Sequence, residues 1–591
     1  MKIIPVPQSQ EIFEEEITFS SSYRLNLLSK DYLVVENYIN TFLKTSPDAK
    51  NEIILKCDTS LSDEEYNLEI SDNITITASC AKGTFRAAST LKQLVGYKCV
   101  NKQKIHDYPD VKNRGLMLDI SRGRNPKLET LYKLVDILSD LKYNQFQLYI
   151  DAPIFEYAHF MEHCKNTTPL TVDELKKLII YCKEKFIELV PNQNSFGHMS
   201  GWLSIPEFSE LGIKKPQGAP DSLNPLDEKS LEFVDTLYSD MLPYFDSELV
   251  NIGMDETFSL GLGQTEEACN KYGKGKVYVD FLNKVIKLAK EKYNKTPMFW
   301  DDIVFNHTEV IPEVSKDAIF LEWGYEHEME YLEKCRVLSE NNLRFYTCPS
   351  TCTFQSITGR FENMTHNIEA AVKACLFFGG EGVLLTEWGD GGHPQTMPTN
   401  FLGYALCACC MWNYEPMAEK PFIHCTYVKS SPIIVHIQQY LDKFVFDENP
   451  VSLILQQMGN YYLLENMTRW SGTGIWIETD YMLNGKEYYS NYESAEMVMW
   501  YMTKLKDKLE ALPSDTPYID DIILNCNMVI VFSQFMMEFI KKTGEKIENP
   551  QLKSNLVKLK KEFIENWNKE NREYGSHLLT RKIDKMIDAI N

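Results

Sequence analysis

At 591 residues the chain holds several domains' worth of sequence, and a hydrophobic share of 44% beside 25% charged residues is that of an ordinary globular protein. A formal net charge of −23 repels nucleic-acid phosphates and anionic lipid headgroups, and no long run of Lys and Arg offsets it. Nucleic acid and membrane surfaces are therefore excluded as expected partners, and a neutral ligand is favoured.

The opening MKIIPVPQSQEIFEEE lacks the apolar run of a secretory signal, and no apolar stretch long enough for a membrane span is apparent. The 15 cysteines are odd in number and lack framework spacing. They read as reduced thiols of a cytoplasmic protein. No CxxC-like pair with suitable partners suggests zinc, so neither a metal nor a cofactor is expected.

Residues 1–108 read as a small α/β domain. Helical spacing in DYLVVENYINTFLK is followed by strand-like alternation in EIILKC and LEISDNITITA, then by helical periodicity in AKGTFRAASTLKQLV. Over 109–425 short apolar runs alternate with amphipathic helices. The runs are 114–120, 146–150, 188–196, 248–256, 297–302, 318–324, 344–350 and 382–390. Eight βα units predict a (β/α)8 TIM barrel, with the helix after the fifth strand the weakest. Residues 426–591 carry helical stripes, among them VSLILQQMGNYYLLENM and SAEMVMWYMTKLKDKLEAL, and predict a C-terminal α-helical domain. That tail is a candidate for forming a homodimer or for closing a cleft.

In such a barrel the reactive residues gather where strands end at the C-terminal face. The candidate strands end in Asp255-Glu256, Trp300-Asp301-Asp302, Glu322-Trp323-Gly324 and Glu387-Trp388-Gly389-Asp390. Strand three leads into Asn192, Asn194 and His198, strand seven carries Tyr346, and strand one opens with Arg114. Aromatic faces pack on the C–H face of a sugar and carboxylates bind its hydroxyls. A carboxylic acid and a second group together cleave a glycosidic bond. Asp301 and Asp302 also read as helix caps.

These segments resemble glycoside hydrolase family 20, the β-N-acetylhexosaminidases, over roughly residues 1–425. AKGTFRAASTLKQLV is similar to the end of that family's front domain, RGLMLDISRGR to its first barrel strand, and NIGMDET to its catalytic fourth strand. The resemblance implies an exo-acting, retaining enzyme that removes terminal β-linked GlcNAc or GalNAc from an oligosaccharide or glycoconjugate. Glu256 would then be the acid/base and Asp255 the residue steering the substrate's acetamido group. Trp300, Trp323 and Trp388 would box the acetamide, with Tyr346 donating to its oxygen. Arg114 and Asp390 would hold the outer hydroxyls, and His198 would sit near the acid. The segment FQLYIDAPIFEY departs from the family's histidine-rich pattern, which leaves Asp151 or Glu156 as the partner of His198. Two other readings compete. An O-linked N-acetylglucosamine hydrolase would use Asp-Asp in place of Asp-Glu, and a non-catalytic glycan-binding barrel would lack the acid. A metal-dependent barrel hydrolase would need an HxH pair on strand one, and none is there.

Overall fold

The computed structural model describes residues 3–327, 329, 331–414, 432–460 and 474–591. A six-stranded front sheet has the order β1-β6-β4-β5-β3-β2, built from β1 (Ser9–Thr18), β2 (Arg24–Leu25), β3 (Glu52–Cys57), β4 (Tyr66–Ile70), β5 (Ile74–Ala78) and β6 (Cys99–Asp107). The LEISDNITITA segment folds into two antiparallel strands, with Ile70 opposite Ile74. Their alternate residues Leu68, Ile70, Ile74 and Ile76 are buried, as are Phe85, Leu91 and Leu94 of the helix Ala81–Gly96.

Eight parallel strands follow: β7 (Asn113–Asp119), β8 (Gln145–Tyr149), β9 (Glu188–Val190), β10 (Leu249–Asn251), β11 (Thr296–Trp300), β12 (Ile319–Trp323), β13 (Arg344–Cys348) and β14 (Gly382–Glu387). Their order is β10-β11-β12-β13-β14-β7-β8-β9. The remaining seam is closed just past β9, where Asn251 N–H donates to Pro191 O (2.9 Å) and Gln193 N–H to Asn251 O (3.0 Å). The barrel is thus the predicted one. β9 and β10 are only three residues long, because the chain leaves the ladder early at each and turns toward the barrel mouth. The helix after β11 is a five-residue turn, Asp302–Asn306, continued by a 3-10 segment that contains Pro312.

Beyond the buried helix Phe401–Trp412 come Pro432–Phe444, Ser452–Met458, Gly474–Leu483, Tyr492–Glu510, Ile519–Lys541, Pro550–Glu570 and Ser576–Asp588. Residues 461–467 of the VSLILQQMGNYYLLENM stripe lie outside the described residues. Ile519–Lys541 is apolar and long enough to cross a membrane, but 56% of its most apolar window is buried, and it packs on three other helices of the unit. One continuous apolar core joins the barrel's outer face to its surrounding helices and to the C-terminal helices, a separate cluster fills the barrel interior, and the front domain has its own core.

Candidate active site

The C-terminal mouth of the barrel is built around an irregular turn. After β10, Gly253 (φ 71°), Met254 (φ 84°) and Glu256 (φ 48°) are all left-handed, and Asp255 lies between two of them. Successive residues of a regular strand face opposite sides; the left-handed turn instead lets the Asp255 and Glu256 side chains both reach one imidazole. His198 Nε2 is 3.3 Å from Asp255 Oδ2 and 3.1 Å from Glu256 Oε2. The turn is fitted closely. A Cβ at Gly197 would fall 1.9 Å from Asp255 O, and one at Gly253 would fall 2.2 Å from Asn194 Oδ1. Asn194 braces the assembly: its Nδ2 donates to Asp255 Oδ1 (3.2 Å) and to the Tyr149 hydroxyl (3.0 Å), while its Oδ1 accepts from Met254 N–H (3.3 Å).

Charge settles the protonation of His198 and Asp255. Burial favours neutral His198, but the Asp255 carboxylate outweighs burial and pushes the imidazole up to about 11, so it is a cation at neutral pH. Burial would likewise raise Asp255, and the His198 charge holds it below the usual carboxylate value, so it is an acceptor only. Asp302 accepts from Glu256 N–H (3.1 Å), and burial together with the nearby Asp255 pushes its carboxyl up to about 7. Asp301 heads the short helix without capping it. It is buried beside Glu322, burial raises both carboxyls, and Lys334 Nζ lies 3.0 Å from Glu322. The capping expectation for this pair is therefore replaced by two distinct roles, support of Glu256 and a buried acid pair.

Trp300, Trp323 and Trp388 come together as expected, in one cluster with Tyr149 and Tyr325. The Trp300 and Trp388 ring centroids are 5.8 Å apart, Trp323 stacks on Tyr325 at 5.1 Å, and Tyr149 meets Trp388 edge-on at 4.8 Å. Trp388 Nε1 donates to the Tyr325 hydroxyl (2.7 Å), and burial keeps that phenol protonated well above its ordinary range.

Two sequence assignments are corrected. Tyr346 lies low in the barrel. Its ring meets the first residue of β14 and its phenol the first residue of β8, so it faces the end opposite the mouth. The tyrosines at the mouth are Tyr149 and Tyr325, and of these Tyr325 stands beside Trp323 and Trp388. Arg114 likewise sits where β7 begins. Its guanidinium pairs with Glu64 of the front domain (2.7 Å), donates to Val111 O and Lys112 O, and lies over Trp412. The arginine at the mouth is Arg122, just past the end of β7. It lies 3.2 Å from Asp151, 3.5 Å from Asp119 and 3.9 Å from Asp390, packs over Tyr149 and Trp388, and reaches to 3.3 Å from His198 Nδ1. Asp390 is at the mouth as expected, and burial pushes its carboxyl up to about 6. Of the two acids offered as partners of His198, Asp151 reaches it through Arg122, whereas Glu156 accepts from Val172 N–H at the start of another helix. Among the described residues no group of three or more His, Cys, Asp or Glu side chains is placed to hold a metal.

The family description "Glycosyl hydrolase family 20, catalytic domain" matches residues 112–351, and "Glycosyl hydrolase family 20, domain 2" matches residues 1–108, together more than half of the chain. The chain belongs to glycoside hydrolase family 20. The catalytic match of this family-20 chain stops short of β14, so Trp388 and Asp390 are placed by the structure alone. Beta-hexosaminidase subunit alpha of Rattus norvegicus is 23% identical over 337 residues, covering 51% of this chain and 62% of that protein. Beta-hexosaminidase subunit A2 of Dictyostelium discoideum is 24% identical over 265 residues, 41% of this chain and 48% of that one. The chain thus spans about six tenths, or less, of the curated relatives it matches. Among solved structures, a Flavobacterium johnsoniae chitobiase superposes with a TM-score of 0.60 at 18% identity, covering 99% of both chains. A Vibrio harveyi family-20 exo-β-N-acetylglucosaminidase in complex with N-acetylglucosamine gives 0.59 at 17% identity, covering 77% of this chain and 78% of that one. These likenesses speak to fold.

Proposed function

We propose that this chain is an exo-β-N-acetylhexosaminidase that removes terminal β-linked GlcNAc or GalNAc with retention, using the substrate's own acetamido oxygen as nucleophile. The observation that carries the reading is the His198 bridge between Asp255 and Glu256 beside the aromatic box. The box accepts a flat acetamide. Asp255, held ionised by the His198 charge, accepts a hydrogen bond from the acetamide N–H and turns its oxygen toward the anomeric carbon. Tyr325, whose hydroxyl already accepts from Trp388, donates to that oxygen. As the acetamido oxygen bonds to the anomeric carbon, the glycosidic C–O bond breaks and Glu256 gives its proton to the leaving oxygen. Glu256 then takes a proton from the water that opens the oxazolinium ion. Arg122 and Asp390 bind the outer hydroxyls and block the non-reducing side, which makes the action exo. The charge of −23 accords with a neutral glycan, and the free thiol state of every described cysteine accords with a reducing, cytoplasmic setting.

The test is turnover of an aryl β-N-acetylglucosaminide against the matching aryl β-glucoside. The first should be cleaved and the second should not, and a thiazoline analogue of the bicyclic intermediate should inhibit. Glu256→Gln should lose more activity as the leaving group becomes poorer. Efficient cleavage of the glucoside, or an equal loss across the leaving-group series, rejects the reading.

A further inference from the structure

The two loops that carry Arg122 and Asp390 both lean on the C-terminal helices. Gly123 (φ 106°) follows Arg122, Gly391 (φ 80°) and Gly392 (φ 105°) follow Asp390, and Gly575 (φ 102°) opens the helix Ser576–Asp588. Gly123, Gly392 and Gly575 meet at one junction. A Cβ at Gly575 would fall 1.9 Å from Gly123 O. One at Gly123 would fall 3.0 Å from Leu578 Cδ1 and 3.7 Å from Gly392 O, and one at Gly392 would fall 3.5 Å from Leu578 Cβ. On the far side, a Cβ at Gly391 would lie 3.2 Å from Trp476 Nε1, in the helix Gly474–Leu483. Glycine is the residue that combines left-handed backbone with such close approach.

The loops are also tied to each other. Asp119 accepts from Arg122 N–H (3.3 Å) through one oxygen and from Gly389 N–H (3.0 Å) through the other, and Arg124 donates to His393 O (3.3 Å). The helical unit adds backbone pairing: Arg572 N–H donates to Asn125 O (2.8 Å) and Lys127 N–H to Glu570 O (2.9 Å). Both residues that face the outer end of the sugar pocket are thus mounted on a single clamp supplied by the last helices of the chain.

We propose that the C-terminal helical unit is a positioning element of the sugar pocket, in which the Gly575–Leu578 turn fixes the loops of Arg122 and Asp390 and so sets the grip on the outer hydroxyls. The sugar half of this inference rests on the function proposed above; the clamp itself does not. Positioning errors of about 1 Å change rates and binding by large factors, and the gap between Arg122 Nε and Asp390 Oδ1 is 3.9 Å, so a small loop shift changes what the pair can hold.

Leu578→Ala loosens the junction and Gly575→Ala wedges it; Lys558→Ala, on an exposed face of the helical unit, is the control. Two readouts are taken on the full chain. Amide hydrogen exchange should speed up in both loops, 121–125 and 389–393, and stay unchanged in the turn 253–257. For the aryl N-acetylglucosaminide, KM should rise roughly 3–10-fold with kcat held within about twofold, and the ratio to the galacto epimer should shift. The control should move nothing. Faster exchange confined to residues 572–588 overturns the clamp. Loosened loops with unchanged KM and epimer ratio overturn its role in the pocket. A wild-type chain that turns over neither substrate rejects the function and the sugar half together, while exchange still decides the clamp. If Gly575→Ala fails to fold, Leu578→Ala carries the test.

Discussion

Arg114 and Arg122 flank a single strand and do different work. Arg114 is buried at the strand's start against Glu64 and backbone carbonyls, and Arg122 is at the mouth among three carboxylates. Arg122→Lys keeps the charge and loses the planar fork. At about 1.5–3 kcal/mol for a charged hydrogen bond, kcat/KM should fall roughly 10–100-fold with little change in Tm. Arg114→Lys should do the reverse, lowering Tm and sparing KM, and a swapped pattern would show that the assignment of the two is wrong. The sequence contained the means to choose. Reactive residues follow the ends of barrel strands, and in RGLMLDISRGR that position belongs to Arg122. Tyr346 failed by the same geometry, since it is the third residue of a five-residue strand and its ring faces the barrel floor. Asp255, Glu256 and the three tryptophans were legible because each closely follows or closes a short apolar run. Tyr325 was not, because it stands in a loop with no periodic signal.

At the scale of elements, the alternation of apolar runs and helices was legible for all eight barrel strands, because strands buried on both faces stand out as apolar blocks. Three front-domain strands, β1, β2 and β6, were missed. β1 is an exposed edge strand whose SQEIFEEEIT carries four exposed glutamates, a way of blunting an edge that also erases the hydrophobic signal. The site turns were hidden for another reason: left-handed residues such as Met254 and Glu256 are held by tertiary contacts and have no signature in sequence. Asp302 is one of those contacts. Asp302→Ala removes the acceptor of Glu256 N–H, and loss of a partly buried bond of about 1–3 kcal/mol predicts a roughly 5–100-fold fall in kcat. Asp302→Asn retains an acceptor oxygen and should lose much less. Equal losses in the two variants, measured on one aryl substrate, would show that the backbone contact is not what Asp302 supplies.

For the molecule as a whole, the joint between front domain and barrel holds a buried charge cluster beside apolar contacts such as Phe85 on Phe186, and nothing in a linear reading joins its parts. Glu64 is buried, and its Oε1 lies 2.8 Å from Arg86 Nε and 2.7 Å from Arg114 NH2; its Oε2 accepts from Asn144 Nδ2 (3.1 Å) and lies 3.6 Å from Lys82. Burial alone would raise this carboxyl, yet Arg114, Arg86 and Lys82 together hold it far below the ordinary glutamate value. A carboxyl depressed in the folded state contributes stability that is present above its unfolded value, near 4.5, and that fades as pH falls toward the folded one. Glu64→Gln strips the anion from two buried guanidinium groups, a loss of about 3–5 kcal/mol when one partner of a buried pair is removed. The variant should therefore unfold at lower denaturant than the wild type at pH 7. The gap should hold steady down to about pH 5 and narrow only below it, as the wild-type carboxylate begins to protonate in the unfolded chain first. A gap that is small at pH 7, or one that widens toward acid, would mean that the apolar packing of the two domains, and not this buried charge cluster, holds them together.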